Sequence, residues 1–75
     1  MVTMYRGPKW KVSVYGREHG MAHFDIEGPG FRCSVAIATL EVIVGAAPTG
    51  VRREAIDWAR GHRTELLAKW QELNR

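Results

Sequence analysis

The stretch "MAHFDIEGPGFRCSVAIA", residues 21–38, alternates in polarity on both sides of a central Gly-Pro-Gly. On the first arm Ala22, Phe24 and Ile26 form an apolar set, opposed by Met21, His23, Asp25 and Glu27. On the second arm Phe31, Cys33, Val35 and Ile37 form the core set, while Arg32, Ser34, Ala36 and Ala38 face away. Successive strand side chains point to opposite faces, so each arm reads as a strand with one covered face. Gly28-Pro29-Gly30 supplies the tight reversal between them. The reading is an antiparallel pair, dry on one side and wet on the other.

The same period extends outward. In "KWKVSVY" (9–15), Trp10, Val12 and Val14 point one way and Lys9, Lys11, Ser13 and Tyr15 the other. "GREHG" (16–20) is bracketed by glycines and reads as a turn. "LEVIV" (40–44) gives a fourth strand with Leu40, Val42 and Val44 inward. Residues 1–8 read as an N-terminal arm, 9–44 as the sheet and 45–50, "GAAPTG", as a link.

From Val51 the period changes. Val51, Ala55, Trp58, Ala59, His62, Leu66, Trp70 and Leu73 recur at three- and four-residue steps, the stripe of an amphipathic helix over 49–74. Thr49 is the candidate N-cap. Arg53 with Asp57, and Glu65 with Lys69, are spaced to pair across one turn. The expected fold is α+β: a four-stranded antiparallel meander sheet with one long C-terminal helix packed on one face, in a single domain. Unbroken, that helix is roughly 35 Å long, against about 23 Å for a seven-residue strand. It either bends at Gly61 or carries Trp70 and Leu73 past the sheet. Trp58, Trp70 and Leu73 are therefore the candidate interface, covered by a small protein partner, by a second copy, or by Met4 and Tyr5 of the N-terminal arm.

Composition narrows the classes. With 75 residues, 45% hydrophobic and 25% charged, the chain is an ordinary globular domain with a small core. Its single Cys33 excludes an internal disulfide and fits a reducing compartment. No apolar run of signal-peptide or membrane-span length occurs, so a soluble, cytoplasmic protein is expected. The net charge of +3, from 11 basic and 8 acidic residues, is a mild excess that fits nucleic acid without requiring it.

"EHGMAHFDIE" (18–27) concentrates the chemistry. His23, Asp25 and Glu27 share one strand face, with Glu18 and His19 in the turn before them. Imidazole with carboxylate suits divalent metals, which makes His19, His23 and Asp25 a candidate metal cluster. A solvated face, charge-paired across to Lys11 and Arg32, accounts for the same residues. His62 lies on the apolar helix stripe; it completes a candidate polar site of Glu18, His19, His23, Asp25 and His62 only if it faces the sheet and joins the upstream histidines, whereas the alternation places His23 on the opposite side of the sheet from the helix. Cys33 falls in the core set, away from any base. "GPGF" lacks the strand-to-helix setting of a phosphate loop, so no cofactor is implied. For nucleic acid, Lys9, Lys11, Arg17 and Arg32 form a candidate basic face, opposed by Asp25 and Glu27 in its middle.

"EHGMAHFDI" (18–26) resembles the acid-His-x-Pro-Pro-His-aromatic-His-aliphatic stretch of a bacterial family catalogued as domain of unknown function 4160. "TLEVIVG" (39–45) resembles the strand that follows in that family, and "DWARGHRTELLAKW" (57–70) its helix. His19, His23 and His62 match the pattern; Met21 and Ala22 replace the proline pair, and Asp25 replaces the last histidine. The resemblance implies a small protein, often encoded beside another small protein, in pairs proposed as toxin–antitoxin-like modules. Protein binding is thus the leading expectation, with RNA binding and metal-dependent chemistry as alternatives; an enzyme is not the expected reading.

Overall fold

A computed structural model describes residues 1–75. Five strands are followed by two helices: β1 (Val2–Gly7), β2 (Trp10–Val14), β3 (His23–Gly28), β4 (Phe31–Ala36), β5 (Val42–Ala46), α1 (Thr49–Arg60) and α2 (Arg63–Leu73). The strands form one antiparallel sheet in the order β1-β2-β3-β4-β5. The α+β class and antiparallel meander expected from the sequence are present. The sheet has five strands rather than four, and two helices stand in place of one.

The extra strand is most of the segment read as an arm. Its alternation is hidden because the register shifts between Thr3 and Tyr5, leaving Met4 as an added residue. Such a bulge moves the later side chains to the other face. Tyr5 thereby lies opposite Val12 and stacks on Trp58 of α1, with ring centroids 4.9 Å apart.

Register assigns the faces. Val12, Ile26 and Cys33 lie side by side, as do Phe24 and Val35, and all are fully buried. Ala55 and Ala59 of α1, and Leu66 and Trp70 of α2, cover this face. The other face carries Lys11, Glu27 and Arg32 in one row and Ser13, Asp25 and Ser34 in the next.

The helix breaks at Gly61 and His62. Their N–H groups donate to the carbonyls of Trp58 (3.2 Å) and Ala59 (2.9 Å), the tight i→i+3 bonds that close a helix. A second helix begins at Arg63, and α2 packs on β2 and β3. No overhang results: Trp70 is a core residue, and Leu73 packs beside Gly16. Thr49 is not a cap; α1 starts at Thr49, and the Pro48 carbonyl accepts from Arg52 at 2.9 Å. The surface pairs are Arg60–Asp57 and Lys69–Glu72, not Arg53–Asp57 and Glu65–Lys69.

The final strand also departs from its expected pattern. Leu40 is buried in the turn before it, at φ 62°, and the register slips between Ser34 and Val35, so Ile43 has no partner residue. Every residue of β5 is exposed. Neither helix is long and apolar enough to cross a membrane.

Candidate functional site

The face opposite the core set holds a chain of polar contacts. Asp25 is 1% exposed, yet its carboxylate is fully engaged. One oxygen accepts from Arg32 Nη2 (2.6 Å) and Nε (3.2 Å), and the other from the Ser34 hydroxyl (2.6 Å). The Arg32 guanidinium lies over the Tyr15 ring, 4.9 Å from its centroid. The Tyr15 hydroxyl in turn donates to Glu27 at 2.6 Å. Hydrogen bonding to Glu27, then burial, pushes the Tyr15 phenol up to about 12. The bonds to Asp25 raise Arg32 above its usual value. Ser13, across the ladder from Asp25, is buried with its hydroxyl unpartnered.

Glu18, His19, His23, Asp25 and Arg32 line one cleft of about 540 Å³, walled on the β5 side by Ile43 and Val44. The "EHGMAHFDIE" residues therefore do converge. Their contacts are those of a structural network. His23 Nδ1 lies 2.9 Å from the Met21 carbonyl, its Nε2 is 3.9 Å from Glu18, and its ring meets Trp70 at 4.7 Å. No group of three His, Cys, Asp or Glu side chains has the geometry to hold a metal ion. His62 does not line the cleft: it stacks on Trp58 at 4.3 Å, with Nδ1 2.7 Å from the Trp58 carbonyl. Cys33 borders the cleft with its thiol buried, and burial, reinforced by the Asp25 charge, raises its pKa. A raised, enclosed thiol is a poor nucleophile.

The aromatic residues singled out as an interface serve the core instead. Trp58 is sandwiched between Tyr5 and His62, and Trp70 is 7% exposed. The basic face divides. Lys9 and Lys11 line a second cleft, of about 400 Å³, together with Arg6 and Glu27. Arg32 is committed to Asp25, and Arg17 sits in the β2–β3 loop at the other end of β2.

Two features escape a reading of polarity alone. Arg6 reaches the second cleft only because β1 pairs with β2, placing Arg6 opposite Lys11. The other is β5, where Val42, Ile43 and Val44 are 39%, 49% and 64% exposed on the outer edge of the sheet. The uncharged run "VIVGA" carries that signal in the sequence, although the same run fits a core strand equally well.

No match is found among the curated proteins or among the solved structures. A family model does match over residues 10–71, from the start of β2 to within two residues of the end of α2. On that match the chain belongs to the family described as Domain of unknown function (DUF4160).

Proposed function

We propose that this protein is a protein-binding module whose contact surface is the free edge of β5. The observation that carries the reading is the exposure of the whole strand, with three consecutive large apolar side chains and no charge from Val42 to Ala46. An outer strand presents unpaired N–H and C=O groups and is a template for strand addition. Soluble proteins usually protect such edges with lysine, proline or a covering helix. Here only the bulge at Ile43 blunts the edge, and Met21, 62% exposed, extends the apolar surface along the adjoining cleft. The partner is a small protein that supplies a strand; the toxin–antitoxin-like pairs that the family resemblance implies support a small protein as partner. Metal chemistry is disfavoured because both Asp25 oxygens are already bonded to Arg32 and Ser34.

The test is affinity capture from an extract of the encoding cells, with the native chain and Val44→Lys side by side. Val44 is 64% exposed, so a lysine there is expected to leave the fold intact. A partner at matched stoichiometry with the native chain, lost with Val44→Lys, supports the reading. A partner retained equally by both, or no partner for either, removes it.

A further inference from the structure

We propose that the cleft between the β1–β2 and β3–β4 turns binds the phosphate backbone of a nucleic acid. This site stands apart from β5 and does not depend on the protein-binding reading. Arg6, Lys9 and Lys11 line it, and none has an ion-pair partner; the Arg and Lys ion pairs are Arg32–Asp25, Arg60–Asp57 and Lys69–Glu72. Glu27 is its one acid, and its carboxylate accepts the Tyr15 hydroxyl. The cleft therefore offers three uncommitted cations against one engaged carboxylate.

The second observation concerns the backbone. The two hairpin turns that flank the cleft are built alike. Pro8-Lys9 joins Gly7 to Trp10, and Pro29-Gly30 joins Gly28 to Phe31. Each places proline first and a positive φ second, 61° at Lys9 and 78° at Gly30, the pattern of a type II turn. That second position favours glycine, and the β3–β4 turn has it. The β1–β2 turn carries lysine instead, in a conformation that costs an L-residue energy. Leu40 shares that strain but recovers it by burial, whereas Lys9 is exposed and gains no packing. Arg17, also exposed with positive φ, lies at the opposite end of the strands and lines no cleft. At Lys9 the strained conformation coincides with a cleft, which it does not at Arg17. Here it sets an ammonium group at the mouth of a cleft whose other walls already hold Arg6 and Lys11.

Geometry selects the ligand. Arg6 and Lys11 sit opposite each other on neighbouring strands, about 4.8 Å apart, and Lys9 stands beyond them in the turn. Three cations distributed along the cleft fit successive phosphates better than a single one. The one aromatic residue in the lining of the cleft, Trp10, is buried and presents no face for base stacking. Recognition is then of the backbone, without base preference.

The test is fluorescence anisotropy with labelled oligouridylate and oligothymidylate, titrated across salt concentrations. Inorganic phosphate and phosphatidylserine vesicles serve as competitors. Both oligonucleotides are expected to bind at low salt with a log–log slope of about −2, for three phosphate contacts on a single strand. Lys9→Gly is expected to raise the melting temperature and yet weaken binding, making the slope shallower by about 0.7. A purely structural role for Lys9 would not move these two readouts in opposite senses. Arg53→Gln, on the exposed side of α1, is the control expected to bind like the native chain. The proposal is overturned by no binding at low salt, by unchanged binding in Lys9→Gly, by an equal loss in Arg53→Gln, or by vesicles or phosphate displacing the oligonucleotide at matched charge.

Discussion

The Asp25–Arg32 pair is lopsided, and the two ways of breaking it should cost different amounts. Asp25 is 1% exposed and Arg32 is 55% exposed. Removing the carboxylate in Asp25→Asn leaves a guanidinium that water can hydrate. The loss is then confined to charge-assisted hydrogen bonds, about 1.5–3 kcal/mol. Removing the guanidinium in Arg32→Met strands a buried carboxylate with only the Ser34 hydroxyl as donor. That situation costs about 3–5 kcal/mol. A chain of this length has a total stability of about 4–11 kcal/mol, so the difference is large on the protein's own scale. Urea denaturation followed by tryptophan fluorescence measures all three variants, and Asp25→Asn/Arg32→Met should cost less than the sum of the singles. If Asp25→Asn proves more destabilising than Arg32→Met, or the double variant is additive, the reasoning from burial is wrong.

Further outcomes follow from other contacts. Tyr15 holds its proton more tightly in the folded protein, up to about 12. Its hydrogen bond is fully present below about pH 10 and is lost as the pH rises from there through 12. The shift corresponds to at most about 2.7 kcal/mol, and solvent at a half-buried ring reduces it to about 1 kcal/mol. Alkaline denaturation of Tyr15→Phe should lack that component. Gly45 has φ 81°, and a Cβ there would come within 2.3 Å of the Arg32 carbonyl oxygen. Gly45→Ala should therefore cost at least about 2 kcal/mol, more than αL strain alone, and calorimetry would register it as a lowered Tm. Lys9→Gly should gain about 1 kcal/mol, which is about 4–8 °C in Tm for a domain of this size. Cys33 should react with a thiol-specific reagent only as fast as the protein opens, which quenched alkylation with mass spectrometry would reveal.

Period-two alternation in residues 9–38 was enough to place three strands and their dry face, because Val12, Val14, Phe24, Ile26, Cys33 and Val35 obey it without interruption. The first and last strands were harder for one shared reason. Each contains a bulge, at Met4 and at Ile43, and a single added residue inverts the pattern a reader relies on. The helix break was signalled by Gly61. Its consequence was not, since only tertiary packing shows that α2 packs on the sheet with Trp70 in the core. The grouping of Glu18, His19, His23 and Asp25 was legible because strand and turn keep them near in sequence and in space. The commitment of Asp25 to Arg32 and Ser34 depends on the β3–β4 register, with Ser34 directly opposite Asp25 and Arg32 opposite Glu27, which composition does not encode. The exposure of β5 depends on where two helices stop covering the sheet.

Strand addition at β5 is most directly tested by amide hydrogen exchange across Val42–Ala46, in the chain alone and in its complex with the captured partner. The expected result is rapid exchange of the outward-facing amides in the free chain and strong protection in the complex, while Lys11 and Glu27 amides in the sheet interior are unchanged. Equal exchange at β5 in both states, with new protection appearing on another element, would contradict a β5 interface.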